Sequence, residues 1–120
     1  LEATPTIDFL RWRVDKHNLK DKIEVVGFAN PVPQDLKEPA DIILMISVFD
    51  HLWEPHEMLR WVTRNIKPNG YLLCDTWRAL KKEGEPQHIV KYDSHRIIHD
   101  FRKLGWRECA ENPFLFRKEL

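Results

Sequence analysis

Net charge, long apolar runs, cysteine and glycine are all scarce in this chain of 120 residues, and each shortage excludes something. Its 19 lysines and arginines balance 19 aspartates and glutamates. A chain with no net charge offers no electrostatic reason to hold nucleic acid or an acidic membrane. The longest apolar run, Ile42 to Val48, is interrupted by Ser47. It falls far short of the roughly 20 residues that a membrane helix needs. Two cysteines, Cys74 and Cys109, cannot make a disulfide framework and fit a reduced, cytoplasmic compartment, although one pair could still bridge. The four glycines, at 27, 70, 84 and 105, include no Gly-Xaa-Gly pair. Leu1 is not a methionine and no signal pattern follows it, so the sequence reads as one entered midway. No repeat or linker divides it, and residues 1–120 are expected to form a single, partial domain.

What is present alternates in period. Thr4-Pro5 suits a helix start, with Ile7, Leu10 and Val14 at helical spacing and Phe9 and Trp12 widening the apolar face. Asn18 suits its stop. Ile23 to Phe28 is rich in β-branched residues and predicts a short strand. Ala29 to Ala40 is a proline-rich loop. Asp41 to Val48 is almost continuously apolar, the pattern of a strand covered on both faces. Pro55 opens a helix with Met58, Leu59, Val62 and Ile66 as its buried stripe, and Lys67-Pro68-Asn69-Gly70 ends it. Tyr71 to Asp75 predicts another buried strand. Asp93 or Ser94 caps a helix whose face is Ile97, Ile98, Phe101 and Leu104, with Gly105 as its C′ residue. Trp106 to Ala110 and Phe114 to Lys118 predict two closing strands, too close for a crossover helix and therefore antiparallel. The alternation predicts an α/β fold with a mainly parallel sheet.

Three stretches carry a resemblance. Ala40 to Leu52 (ADIILMISVFDHL) has an Asp opening an apolar strand, then a small polar residue and an acidic-His pair. Lys67-Pro68-Asn69-Gly70-Tyr71-Leu72-Leu73 is similar to an LKPGG turn into a strand, with Asn69 in place of a glycine. Asn enters the left-handed region more easily than most residues, so the turn tolerates it. His88 to Leu104, then Gly105-Trp106, has a last helix ending at Gly-aromatic before the antiparallel strands. In this order and spacing they resemble the C-terminal part of a class I, Rossmann-like methyltransferase dependent on S-adenosyl-L-methionine. Nearly the whole chain is covered, and Leu1-Glu2-Ala3 is similar to the end of the family's second strand.

The resemblance implies the strand order and what is missing from it. The family's first strand and glycine-rich loop would lie upstream of Leu1. That strand separates the second strand from the fourth, so Ile23 to Phe28 and Asp41 to Val48 would each lack a neighbour. A missing N-terminal segment, or a partner chain, is therefore expected to complete the sheet.

Ligands in such sheets sit outside the carboxyl ends of the strands. The resemblance then implies that Glu2, with Ala3, holds the cofactor ribose, although a frayed chain end is the competing reading. Phe28 and Ala29 pack against adenine, or Phe28 simply fills the core. Ser47, Val48 and Phe49 line the methionine portion, or close a strand end against a helix. His51 is the candidate base, because imidazole titrates near neutrality, although a His here also orients loops. Asp50 is the weaker acid–base candidate, since it also caps turns. Asp75 and Trp77 reach the methyl acceptor, or Trp77 closes the core. Arg78 to Tyr92 is a charged loop able to act as a lid. His95 and His99 share a helix face without the further ligands that zinc needs, so no metal is expected. Trp53, Trp61 and Trp106 are packing residues rather than a base-stacking platform, and Cys74 is a buried strand residue. The implied activity is methyl transfer to a small molecule. The competing functions are a non-catalytic methyltransferase-like binding domain and another Rossmann-like nucleotide-binding enzyme.

Overall fold

The structure, a computed structural model, describes residues 5–27, 32–46, 48, 52, 54–75 and 94–119, and only the backbone at 5 and 94–98. It divides into two compact units, Leu1–Gln34 and Asp35–Leu120. In the first unit, α1 (Pro5–Lys16) ends in a turn in which the Leu19 amide donates to the Val14 carbonyl at 2.9 Å. Asn18 takes φ 54°, the left-handed conformation expected of a stop. Residues 23–27 then run back toward the start of α1, where a methyl group on Gly27 would lie 2.9 Å from Ile7 Cδ1.

Two expectations fail here. Residues 23–27 form no strand, and Phe28 lies outside the described residues. An extended segment becomes a strand only when a neighbour takes its hydrogen bonds, and no described strand pairs with this one. Phe9 and Trp12 do not widen a buried face, because 100° per residue carries them to the side opposite Ile7 and Val14, where both are exposed. Leu10, expected in the stripe, is exposed as well.

The second unit is a four-stranded sheet, β1 (Ala40–Met45), β2 (Ile66–Cys74), β3 (Trp106–Cys109) and β4 (Asn112–Lys118), in the order β1-β2-β4-β3. β1 pairs parallel with β2; β4 pairs antiparallel with β2 and with β3. The sheet is therefore mixed, with the expected antiparallel pair closing it. Helices α2 (Pro55–Arg64) and α3 (Ser94–Lys103) complete the unit. β1 stops three residues short of Val48. Ile66, expected in the α2 stripe, is instead the buried first residue of β2. Pro68 pushes Lys67 toward extended backbone, so the helix must end before it.

One face of the sheet is sealed. Leu72 and Phe116 pair across β2 and β4, and Phe101 of α3 stacks on Phe116 with ring centroids 4.6 Å apart. Trp106 meets Phe101 edge-on at 6.5 Å, and all four side chains are buried, as is Cys74. From α2, Met58, Leu59, Trp61 and Val62 are buried. Each such side chain contributes about 1.5–3 kcal/mol on leaving water. The polar contacts agree with this layering. Trp106 Nε1 donates to Thr63 Oγ1 at 2.9 Å, and that hydroxyl donates to the Leu59 carbonyl at 2.7 Å. Lys118 Nζ donates to the carbonyls of Thr63 and Ile66 at 2.6 and 3.2 Å. His56 Nδ1 lies 3.1 Å from Asp100 Oδ2, linking α2 to α3.

The opposite face is different. Ile42 and Leu44 are 55% and 61% exposed, and Ile46 just past β1 is 55% exposed. The apolar run that predicts cover on two faces finds it on one among the described residues.

The Lys-Pro-Asn-Gly motif is a bulge inside β2. Ala40 faces Ile66 and Ile42 faces Tyr71, so Asp41 alone faces Lys67 to Gly70. Asn69 takes φ 62°, as its substitution for glycine anticipates, and its Oδ1 accepts from Arg117 Nη2 at 3.0 Å. Lys67 Nζ reaches Asp41 Oδ1 at 2.8 Å. A Cβ on Gly70 would stand 2.9 Å from the carbonyl oxygens of both Asp41 and Lys67 and 2.7 Å from Ile66 Cγ1. Backbone atoms cannot yield as a side chain can. Gly70→Ala is expected to lower stability by about 1–3 kcal/mol, read as a lower calorimetric midpoint of the whole protein. An unchanged midpoint would show that the bulge relaxes freely.

Candidate functional site

The parallel pairing positions the site. β1 and β2 run the same way and their last partners are Met45 and Cys74, so both strands end on one rim. Val48 follows β1 and Asp75 follows β2, and both are half-buried. These are the two expected site residues that the structure describes. Glu2, Ala3, Phe28, Ala29, Ser47, Phe49, Asp50, His51 and Trp77 lie outside the described residues, as do Trp53 and the whole segment Arg78 to Tyr92. Glu54 precedes α2 without a side-chain cap, and Pro55 occupies the first turn, where an amide would lack a partner anyway. In that turn Glu57 is bonded to Arg60, which holds its carboxyl below the usual range.

Among the described residues no three His, Cys, Asp or Glu side chains are grouped to hold a metal ion. His99 is exposed on α3. Cys74 and Cys109 are free thiols, Cys74 buried as expected. A surface depression bounded by Arg102, Gly105, Trp106, Arg107, Glu108 and Glu119 lies at the β3 edge, away from the rim. Its charges are mutually paired, Arg102 with Glu108 at 3.8 Å and Arg107 with Glu119 at 2.6 Å.

The residue that sequence reasoning missed is Asn65, the C-cap of α2 and 3% exposed. Its Oδ1 accepts from the Leu36 amide at 2.7 Å. Its Nδ2 donates to Asp35 Oδ1 and to the Trp61 carbonyl, both at 2.9 Å. Its own carbonyl accepts from the Ala40 amide at 2.8 Å. Asn65 thus holds the chain as it enters β1, at the end of the strand opposite the rim. The available signal was an Asn between a helical pattern and an apolar strand, a position that favours capping.

The comparisons with known proteins follow this geometry. A family model described as a methyltransferase domain matches residues 3–117. The chain belongs to this methyltransferase family. Among solved structures, the methyltransferase domain is similar to a SAM-dependent methyltransferase from Aquifex aeolicus, with 23% identity and a TM-score of 0.54. The match covers 92% of this chain and 60% of that one, so the chain spans less than two-thirds of its neighbour. At that identity the likeness shows the fold, and it bears out the Rossmann-like expectation. No curated protein matches the chain.

Within the methyltransferase domain, Asp35 offers a test of how the rim is anchored. The Asn65 hydrogen bond, aided by Arg64 at 2.9 and 3.1 Å, holds its carboxyl below the ordinary aspartate value. A depressed folded value stabilises above the unfolded one and is lost as pH falls through the folded one. Asp35→Asn keeps an acceptor but not the charge. In the whole protein the wild type is therefore expected to lose more of its urea midpoint between neutral and acid pH than Asp35→Asn does. Equal losses would remove Asp35 from the account.

Proposed function

We propose that the chain is part of a single domain, spanning 1–120 and beyond, of an S-adenosyl-L-methionine-dependent methyltransferase acting on a small molecule in the cytoplasm. The observation that carries this reading is the family match over 3–117 on a sheet whose parallel strands end together. Two free thiols and balanced charge support the compartment and weigh against nucleic acid. No helix among the described residues is long and apolar enough to cross a membrane.

The residues present fit one flank of the cofactor. Apolar Val48, just beyond β1, suits the aliphatic methionine chain, and Asp75, just beyond β2, suits a polar acceptor. By the resemblance Ser47 and Phe49 serve the methionine chain too, Glu2 and Ala3 the ribose, and Phe28 and Ala29 the adenine. The glycine turn that lets backbone approach such a ligand has no counterpart among the four glycines. When bound, the sulfonium supplies an electrophilic methyl group. His51 takes the proton that the acceptor loses, Asp50 assists it, and Trp77 with Asp75 orients the acceptor.

The second reading is a methyltransferase-like domain that binds without catalysis, since a fold does not fix an activity. Calorimetric titration of the whole protein with S-adenosylhomocysteine, followed by methyl-transfer assays, separates the two. Binding with turnover, and turnover falling about 10²-fold or more in His51→Ala, supports catalysis. Binding without turnover supports the second reading, and no binding sinks both.

The edge and outer face of β1 support completion of the sheet by a further segment or partner chain. Among the described residues no strand pairs with that edge, and its apolar side chains face outward. The 120 residues alone are then expected to melt without a cooperative transition, whereas the completed sheet melts cooperatively. A sharp calorimetric transition for the isolated monomer would refute this.

A further inference from the structure

The outer side of α1 is a feature that methyl transfer leaves unused. Phe9, Trp12, Arg13 and Lys16 follow at i, i+3, i+4 and i+7 and share one side of the helix. The rings of Phe9 and Trp12 stack with centroids 5.7 Å apart and planes 26° from parallel. The Arg13 guanidinium carbon stands 5.9 Å from the Phe9 centroid, and Lys16 Nζ stands 4.7 Å from the Trp12 centroid. Both rings remain more than half exposed, at 52% and 53%. Each cation is drawn to its ring by the ring quadrupole, which orders all four side chains into a ridge.

The charge of this ridge is uncompensated. The acids of α1 are engaged elsewhere, Asp8 with Arg11 at 4.0 Å and Asp15 with Lys20 at 2.9 Å. Among the described residues Arg13 and Lys16 form no ion pair. Exposed aromatic area beside free positive charge has a complementary surface, apolar at its centre and acidic at its margin.

We propose that this ridge is a docking surface for an acidic segment of another protein with an apolar centre. The sign of the charge excludes a second copy of the same ridge, whose cations would face these. A single-stranded nucleic acid is held along a basic groove that tracks its backbone, and two cations on one helix of a chain with no net charge do not make one. A bilayer takes a helix with one broad apolar face. The apolar residues of α1 are instead split between two opposite sides. Protein interfaces, by contrast, concentrate binding in Trp and Arg anchors of this kind. On docking, each cation moves from its ring to a carboxylate while the ring fills the apolar centre.

The test uses the full chain and a fluorescein-labelled synthetic peptide with a Leu-Phe-Leu centre flanked by Asp and Glu, read by anisotropy. Saturable binding is expected to weaken about tenfold or more with added salt and with Trp12→Ala. The double substitution Arg13→Glu with Lys16→Glu leaves both rings in place. It is expected to abolish binding of the acidic peptide and create binding of its Lys-flanked counterpart. Circular dichroism of each variant should match the wild type, since all four residues lie on the surface. Absence of peptide binding overturns the proposal, as does binding indifferent to Trp12→Ala. Tighter binding to phosphatidylserine vesicles or to oligothymidylate than to the peptide assigns the ridge to a membrane or a nucleic acid and also overturns it.

Discussion

The parallel pairing of β1 with β2 is the constraint on which the rest of the second unit depends. Parallel neighbours cannot be joined by a tight turn, so the chain must cross over between them, and α2 is part of that crossover. The crossover returns the chain to the start of β2, which makes both strands end on one rim. The segments that leave this rim are those in which the expected chemistry lies. The register is held at its beginning by Asn65, which binds the chain just before β1 and closes α2 at the same time. It is held along its length by a bulge that only a residue without Cβ can pass, at Gly70. Fold and site therefore share a cause, because whatever sets the register also sets which side chains stand together on the rim.

The two faces of the sheet divide the labour differently. On the sealed face, Thr63 links helix to sheet by receiving the Trp106 indole proton while its own hydroxyl stays bonded to α2. Lys118 places its ammonium on the carbonyl of Thr63, in the last turn of α2, and on that of Ile66, the first residue of β2. The Thr63 carbonyl carries part of the negative end of the helix dipole, which favours a cation there. The bare face has no such contacts, and its exposed isoleucines and leucine are a surface that water does not favour.

Much of the second unit was legible in the residues. The stripe of α2, the stop at Gly105 with φ 87°, and the burial of Trp61, Cys74 and Trp106 all follow from period and turn chemistry. These features are local, or depend on apolarity alone. Ile23 to Phe28 failed because a strand is a property of two segments, and β-branched residues describe only one of them. Ile66 was misplaced for a related reason. Its apolarity fits a helix stripe and a strand start equally well, and the restriction imposed by Pro68 on its neighbour decides between them. The site was legible in outline only. Strand order predicts which chain ends share a rim, but the level at which β1 and β2 end together follows from a register that includes the bulge.

The misreading of α1 has a different origin. Period analysis treats every apolar side chain as a vote for burial, and so counted Phe9 and Trp12 with the aliphatic stripe. An aromatic ring differs from an aliphatic chain in offering a cation an electrostatic partner. A cation four residues later on a helix stands above it. Phe9 with Arg13 and Trp12 with Lys16 both satisfy that spacing. The pattern aromatic-Xaa-Xaa-Xaa-cation, occurring twice in five consecutive starting positions or fewer, therefore marks a face that remains at the surface in order. On that reading the two sides of α1 are not a broad apolar face poorly buried. They are two separate surfaces, one aliphatic against residues 23–27 and one aromatic and cationic toward solvent.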